Sequence, residues 1–187
     1  MRSRIWIIVT AALLLSAFSD DGPHGPTAPE PFTDFDTLTM GQSAGLYGSP
    51  VFEVTIFSDG LVRHSGPTFE RTGGPHESRI DRHGLAQIAN ALREARVDEM
   101  RNSYQDKADG CESTITDMWT LSLNVSRSLG YRNKSVELYT GCLGPAIPTE
   151  RIHALINSID QVTRTRALLE QRKQVRRSEG GTAEPST

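Results

Sequence analysis

The chain has 187 residues, of which 20 are basic, 23 are acidic and 36% are hydrophobic, and its formal net charge is −3. This length supports a single domain with a substantial core. The acidic balance argues against a nucleic-acid partner, because proteins bind the phosphate backbone through an excess of Lys and Arg.

The N-terminus has the three parts of a secretory signal peptide. Two arginines precede an apolar run over residues 5–15, and Ala17 and Ser19 supply the small side chains of a cleavage site. The run is too short for a bilayer span, which takes about 20 residues. We expect cleavage after residues 1–19, which leaves an exported, periplasmic or extracellular protein without a transmembrane span. An uncleaved anchor is the alternative.

The next segment is a predicted linker. Residues 20–32 hold four prolines and two glycines, a composition typical of a flexible tether. We expect a single domain over residues 33–163. Its first predicted strand starts at Thr33, where polar and apolar side chains begin to alternate.

Residues 48–66 predict a β-hairpin whose register depends on the length of its loop. A two-residue loop of Asp59 and Gly60 would mix apolar and polar side chains on each face. A three-residue loop that adds Ser58, with Gly60 in the left-handed conformation, sorts the side chains by face. This register predicts three facing pairs: Ile56 with Val62, Val54 with His64, and Thr55 with Arg63.

The rest of the domain reads as loop, helix, loop, hairpin and helix. Residues 67–80 are predicted as a loop, followed by a helix with Asp81 as its N-cap. Residues 101–115 are a second loop, residues 119–139 a second hairpin, and the last helix starts after Pro148. The predicted fold is α+β: a small antiparallel sheet of about five strands, formed by two hairpins and the N-terminal strand, packed against two helices.

Residues 164–187 are predicted to form a basic extension of the last helix and a disordered tail. The cations of this extension could contact an anionic surface or an acidic envelope protein, and a solvated helix end is the alternative. The residues concerned are Arg164, Arg166, Arg172, Lys173, Arg176 and Arg177.

Cys111 and Cys142 are the only cysteines. An even number of cysteines in an exported chain favours a disulfide, which would stabilise the domain by about 3 to 4 kcal/mol in the chain-entropy model. Two free thiols or a metal-binding pair are the alternatives.

The stretch GLYGSPVFEVTIFSDGLVRHSG resembles the signature of a bacterial secreted family, domain of unknown function 6438. The matching positions are Pro50, Phe52, Asp59, Gly60, Val62 and Gly66. The segments TDMWTLSL, KSVELYTGC and LINSID resemble its second hairpin and terminal helix. Members often carry two cysteines where this chain has residues near Gly45 and Ser49, so thiol chemistry is not transferred. The resemblance implies the fold and the compartment, but no activity.

No sequence pattern predicts a catalytic, cofactor-binding or metal-binding residue. The histidines lack the close spacing that places two imidazoles on one metal, and we expect His64 to pack in the core. Glu77, Asp81 and His83 form at most a weak acid–base or metal site, because helix capping explains Asp81 more simply.

Two functional hypotheses follow. The first is a non-enzymatic binding or structural module of the cell envelope that uses its sheet face or its basic helix. The second is an enzyme or enzyme inhibitor with a site built from loops 67–80 and 101–115. A binding module would show an exposed flat or apolar patch, whereas an enzyme would bring ionisable groups together in a pocket. The candidates for such a pocket are His76, His83, Glu112 and Asp117.

Overall fold

A mixed seven-stranded sheet forms the centre of the protein. The computed structural model describes residues 35–45, 49–128 and 133–180, all within the unit Pro31–Thr187. The predicted signal peptide, the predicted linker and residues 181–187 lie outside the described residues. The strands are β1 Thr37–Gln42, β2 Phe52–Phe57, β3 Leu61–Ser65, β4 His76–Arg79, β5 Ser103–Tyr104, β6 Ser113–Thr114, β7 Thr120–Ser126, β8 Lys134–Tyr139 and β9 Cys142–Leu143.

The strand order in the large sheet is β4-β3-β2-β1-β7-β8-β5, and β6 pairs with β9 in a separate two-stranded sheet. All pairs in the large sheet are antiparallel except β5 with β8, which is parallel. The described helices are α1 Pro67–Glu70, α2 Arg82–Glu94, α3 Thr149–Thr163 and α4 Thr165–Gly180, with a 3-10 turn at Val97–Glu99.

The α+β class is confirmed, but the prediction of about five antiparallel strands and two helices is wrong in number. The predicted loop 67–80 contains α1 and β4, and the predicted loop 101–115 contains β5 and β6. These strands have two to four residues, so they are too short to show alternation in the sequence. The last predicted helix is two helices, because Arg164 adopts a left-handed conformation between α3 and α4.

Alternation along the strands places apolar side chains on one face of the large sheet. Leu38 and Met40 on β1 lie opposite Ile56 and Val54 on β2, and all four are buried. The apolar sides of the helices complete the same core, since an amphipathic helix packs its apolar stripe against a sheet. The main helical contributors are Phe69, Leu85, Ile88, Leu92, Ile152, Leu155, Ile159 and Leu169.

The predicted register of the first hairpin is confirmed. Val54 lies opposite His64 and Ile56 opposite Val62, as the three-residue loop requires. Gly60 has a φ of 86°, and its N–H donates to the Phe57 carbonyl. A Cβ at Gly60 would lie 2.4 Å from the Ile80 carbonyl oxygen, so both backbone conformation and space select glycine.

This geometry predicts the effect of Gly60→Ala on stability. The variant combines left-handed strain of about 1 kcal/mol with a backbone clash, so we expect its free energy of unfolding to fall by about 2 kcal/mol or more. Gly73→Ala is the matched control, because Gly73 also has positive φ but has no heavy atom within 4 Å of a built Cβ. Urea denaturation of both variants measures the difference, and equal losses would contradict the clash.

The N-terminus of α2 is capped as predicted. The Asp81 carboxylate accepts a hydrogen bond from the Gly84 N–H at 2.9 Å, which satisfies one of the free donors of the first turn. Gly84 is buried, and a Cβ there would lie 2.8 Å from Val162 on α3. Glycine is a weak helix former, but at this position it permits close packing of α2 on α3.

Candidate functional site

The face of the large sheet opposite the core, called the open face below, is mainly polar and at least partly exposed among the described residues. Its central row contains Thr55, Thr39, Asn124 and Ser135 on four neighbouring strands, β2-β1-β7-β8. These side chains are half-buried or exposed, whereas the core-facing neighbours on the same strands are buried. The short hydroxyl and amide side chains make this central row rich in hydrogen-bonding groups.

A groove with a volume of about 600 Å³ crosses one end of this open face. Gly41 forms part of its floor, next to Ser122 on β7 and Glu53 on β2. A Cβ on Gly41 would lie 2.6 Å from the Ser122 hydroxyl oxygen. The absence of a side chain at Gly41 therefore leaves room for this hydroxyl in the floor of the groove. Pro67 and Gln105 also line the groove.

The charges that line the groove have one sign. Glu53 and Glu137 contribute two exposed carboxylates, and the lining contains no Lys, Arg or His among the described residues. Glu137 also accepts a hydrogen bond from the Gln105 side chain. Arg63, the nearest cation along β3, is engaged by Glu77 at 2.8 Å. The groove therefore presents uncompensated negative charge between hydroxyl groups.

The ionisable residues proposed for an enzymatic pocket do not converge in the described part of the chain. His83, Glu112 and Asp117 are exposed, His76 is half-buried on β4, and none of these four lines the groove. Within residues 35–45, 49–128 and 133–180, no three His, Cys, Asp or Glu side chains form a cluster that could hold a metal ion.

The strand order explains why the two loops are separate. The segment 67–80 supplies β4 and the segment 101–115 supplies β5, which are the opposite edges of the large sheet. Six strand intervals of about 4.8 Å lie between them. In the predicted acid–base trio of Glu77, Asp81 and His83, the Asp81 carboxylate already serves as the cap of α2.

His64 is fully buried, as the packing prediction requires, but it also takes part in a polar network that the sequence did not reveal. Its Nε2 lies 3.0 Å from the Thr165 hydroxyl, and Thr165 lies 2.7 Å from the Thr163 hydroxyl. The Phe69 ring packs 5.4 Å from the His64 ring. The network joins β3 to the junction of α3 and α4.

Burial lowers the pKa of His64 to about 4, and repulsion from His76 acts in the same direction. Hydrogen bonding to the His76 backbone raises the pKa of His64, and repulsion from Arg172 lowers it further. A neutral imidazole is therefore the form that fits this site at ordinary pH.

Cys111 and Cys142 form a disulfide with a Cα–Cα distance of 5.2 Å, and both residues are buried. The bond joins the segment before β6 to β9, so it cross-links the two segments that form the two-stranded sheet. Leu143 on β9 is 43% exposed, and Ile115, which follows β6, is 51% exposed. The disulfide therefore stabilises the segment around β6, which contributes few side chains to the core.

The basic C-terminal helix is engaged internally at several positions. Arg172 donates hydrogen bonds to the Gly74 and Thr72 carbonyl oxygens at 2.6 and 3.1 Å, and its guanidinium lies 5.0 Å from the Phe69 ring centroid. Arg166 pairs with Asp160, and Lys173 with Glu170. These contacts reduce the number of cations that α4 can offer to a partner.

Comparison with known families gives a match over the region that contains the groove. The profile of a family described as Domain of unknown function (DUF6438) matches residues 36–163, about two thirds of the chain. The chain belongs to this family. The sequence resemblance to DUF6438 is therefore confirmed, and the family region includes the open face, the groove and the disulfide, whereas α4 lies beyond it.

No curated protein matches the chain. Among its described helices, none combines the length and apolar character needed to cross a membrane.

Proposed function

We propose that this protein is an exported, disulfide-stabilised binding module that receives a partner protein on the open face of its sheet. The N-terminal signal pattern supports export, and a buried disulfide suits an oxidising compartment. The observation that carries the proposal is the asymmetry of the sheet. Its apolar face is covered by helices, whereas the side chains of its polar face are half-buried or exposed in the part of the chain that the structure describes.

The groove gives this face a preference for cationic groups. Glu53 and Glu137 lie on β2 and β8, with Gly41 and Ser122 on the two strands between them. A Lys or Arg side chain of a partner could enter the groove between the carboxylates and meet hydroxyl acceptors along the floor. We therefore assign the groove to recognition of a basic side chain on the partner protein.

The sheet face is a better candidate than the basic helix for the main contact. Arg172 is committed to backbone carbonyls, and Arg166 and Lys173 have acidic partners within the chain. The two groove carboxylates have no basic residue beside them in the groove lining. Unpaired charge on a surface steers a complementary partner more effectively than charge that is already compensated.

The double variant Glu53→Gln and Glu137→Gln is expected to bind a lysine-containing extended peptide about tenfold more weakly at low salt. The reason is the loss of two exposed charge pairs. Fluorescence anisotropy of a labelled peptide with alternating Lys and Ser measures this. The matched control, Glu94→Gln with Glu150→Gln, removes two exposed carboxylates from α2 and α3, outside the groove. Equal weakening in both double variants would mean that only net charge matters.

Site-specific photo-crosslinking tests the partner itself. A photoreactive residue at Thr39, in the centre of the open face, should give a discrete cross-linked protein in intact envelopes, and excess unlabelled protein should compete for it. A photoreactive residue at Glu94 on α2 serves as the control. Cross-links from Glu94 alone would place the contact on the helical side and overturn the proposal.

A further inference from the structure

The buried hydroxyl network fixes which nitrogen of His64 carries the proton. The Thr163 hydroxyl donates its only hydrogen to the Ile159 carbonyl at 2.9 Å, so it must accept a hydrogen bond from Thr165. The Thr165 hydroxyl has then used its hydrogen and must accept from His64 Nε2–H. In the neutral imidazole, Nδ1 is consequently the unprotonated nitrogen.

The surroundings of His64 Nδ1 do not favour a second proton. Nδ1 is buried and makes no hydrogen bond of normal geometry, and the His76 backbone, which favours the charged ring, is outweighed by the cost of burial. The titratable or charged groups that act on the ring are His76 from β4, with ring centroids 5.9 Å apart, and Arg172 from α4. The opposite residue on β2 is Val54, and α1 contributes the Phe69 ring. No carboxylate among the groups acting on His64 would compensate a charged imidazole.

Helix α4 is the element that closes this environment. Its first residue, Thr165, is 1% exposed and contacts His64, and Leu169, one turn later, is buried in the common core. Arg172, one turn further, donates to the carbonyl oxygens of Thr72 and Gly74 in the turn that follows α1. These three residues lie at spacings that place them on one face of α4, directed at β3 and α1.

We infer that His64 is an acid-sensitive latch: α4 docks on β3 and α1 most stably while His64 is uncharged, and protonation of His64 favours the release of α4. The released segment contains Arg166, Arg172, Lys173, Arg176 and Arg177, so acid would turn an internally engaged helix into an accessible basic one. This inference is independent of the groove.

The direction of the pH effect follows from linkage. When α4 is docked the pKa of His64 is about 4, and when α4 is released the exposed ring returns towards its ordinary value of 6.5. Between these values the released state binds more protons, so lower pH favours release. The ratio of released to docked α4 should rise by up to about tenfold per pH unit between these values, and by about 80-fold from pH 6.5 to pH 4.

Hydrogen exchange of the full-length protein tests the latch. Protection factors of the α4 amides, corrected for intrinsic exchange at each pH, should fall by about 80-fold between pH 6.5 and pH 4 in the wild type. His64→Gln keeps an N–H donor for Thr165 but cannot titrate, so its protection factors should not change with pH. His153→Gln removes an exposed histidine from α3 and should behave as the wild type does.

Two results would overturn the latch. The first is an equal loss of α4 protection with pH in the wild type and in His64→Gln. The second is obtained on the wild-type protein alone, so it does not depend on folding of the variant. An NMR titration in which the His64 ring protonates near pH 6.5, without any loss of α4 protection, would show that the docked helix tolerates the charge.

Discussion

Replacement of both Cys111 and Cys142 by alanine is expected to lower the free energy of unfolding by about 3 to 4 kcal/mol. The disulfide spans 31 residues in sequence, and a cross-link of this length reduces the chain entropy of the unfolded state by that amount. The affected segment carries β6, which has two residues and cannot replace the lost constraint by packing. Urea denaturation of the oxidised wild type and the double variant measures the loss.

Reduced wild-type protein is the control for this prediction. It loses the same cross-link without a change in sequence, so its unfolding midpoint should fall close to that of the double variant. If the reduced and oxidised proteins unfold at the same urea concentration, the disulfide contributes nothing to stability. The change should leave peptide binding at the groove intact, because neither cysteine lines it.

Phe69→Ala is expected to cost about 3 to 5 kcal/mol, the range for removal of a buried aromatic ring. Phe69 is fully buried on α1, and its ring contacts the imidazole of His64 on one side and the guanidinium of Arg172 on another. The substitution leaves a cavity between α1, β3 and α4. Thermal and urea unfolding of the purified variant give the free-energy change.

Phe57→Ala is a matched control, because Phe57 also has an arginine near its ring. Arg63 lies 5.9 Å from the Phe57 ring centroid, but this phenylalanine is only half-buried on the open face of the sheet. We expect its replacement to cost about 1 kcal/mol, since most of the ring area stays in contact with water. Similar costs for the two substitutions would show that burial of Phe69 between the helices is not what stabilises this region.

The local sequence pattern was sufficient to predict the first hairpin, the cap of α2 and the burial of His64. The register of β2 and β3 depends on parity and on one glycine, and both are visible in the sequence. The two edge strands were missed because β4 and β5 are short and are stabilised by pairing with a neighbour rather than by their own composition. The parallel pairing of β5 with β8 depends on a tertiary contact that no local pattern encodes.

The groove could be predicted only in part. Alternation places Glu53 and Glu137 on the faces of their strands that point away from the core, which the sequence indicates. Their position on the same groove requires the order β2-β1-β7-β8, which brings together segments more than 80 residues apart. The same reason hides the His64 network, because Thr165 follows His64 by 101 residues.

The limits of the family match have a practical consequence for protein production. The match ends at residue 163, whereas the hydrophobic core continues to Leu169 and the Arg172 contacts lie beyond that. A fragment that ends at residue 163 would leave the rings of His64 and Phe69 facing solvent. The exposed apolar surface would promote aggregation of such fragments. The expressed segment of this protein, and of relatives with a helix of this kind, should therefore include the whole of α4.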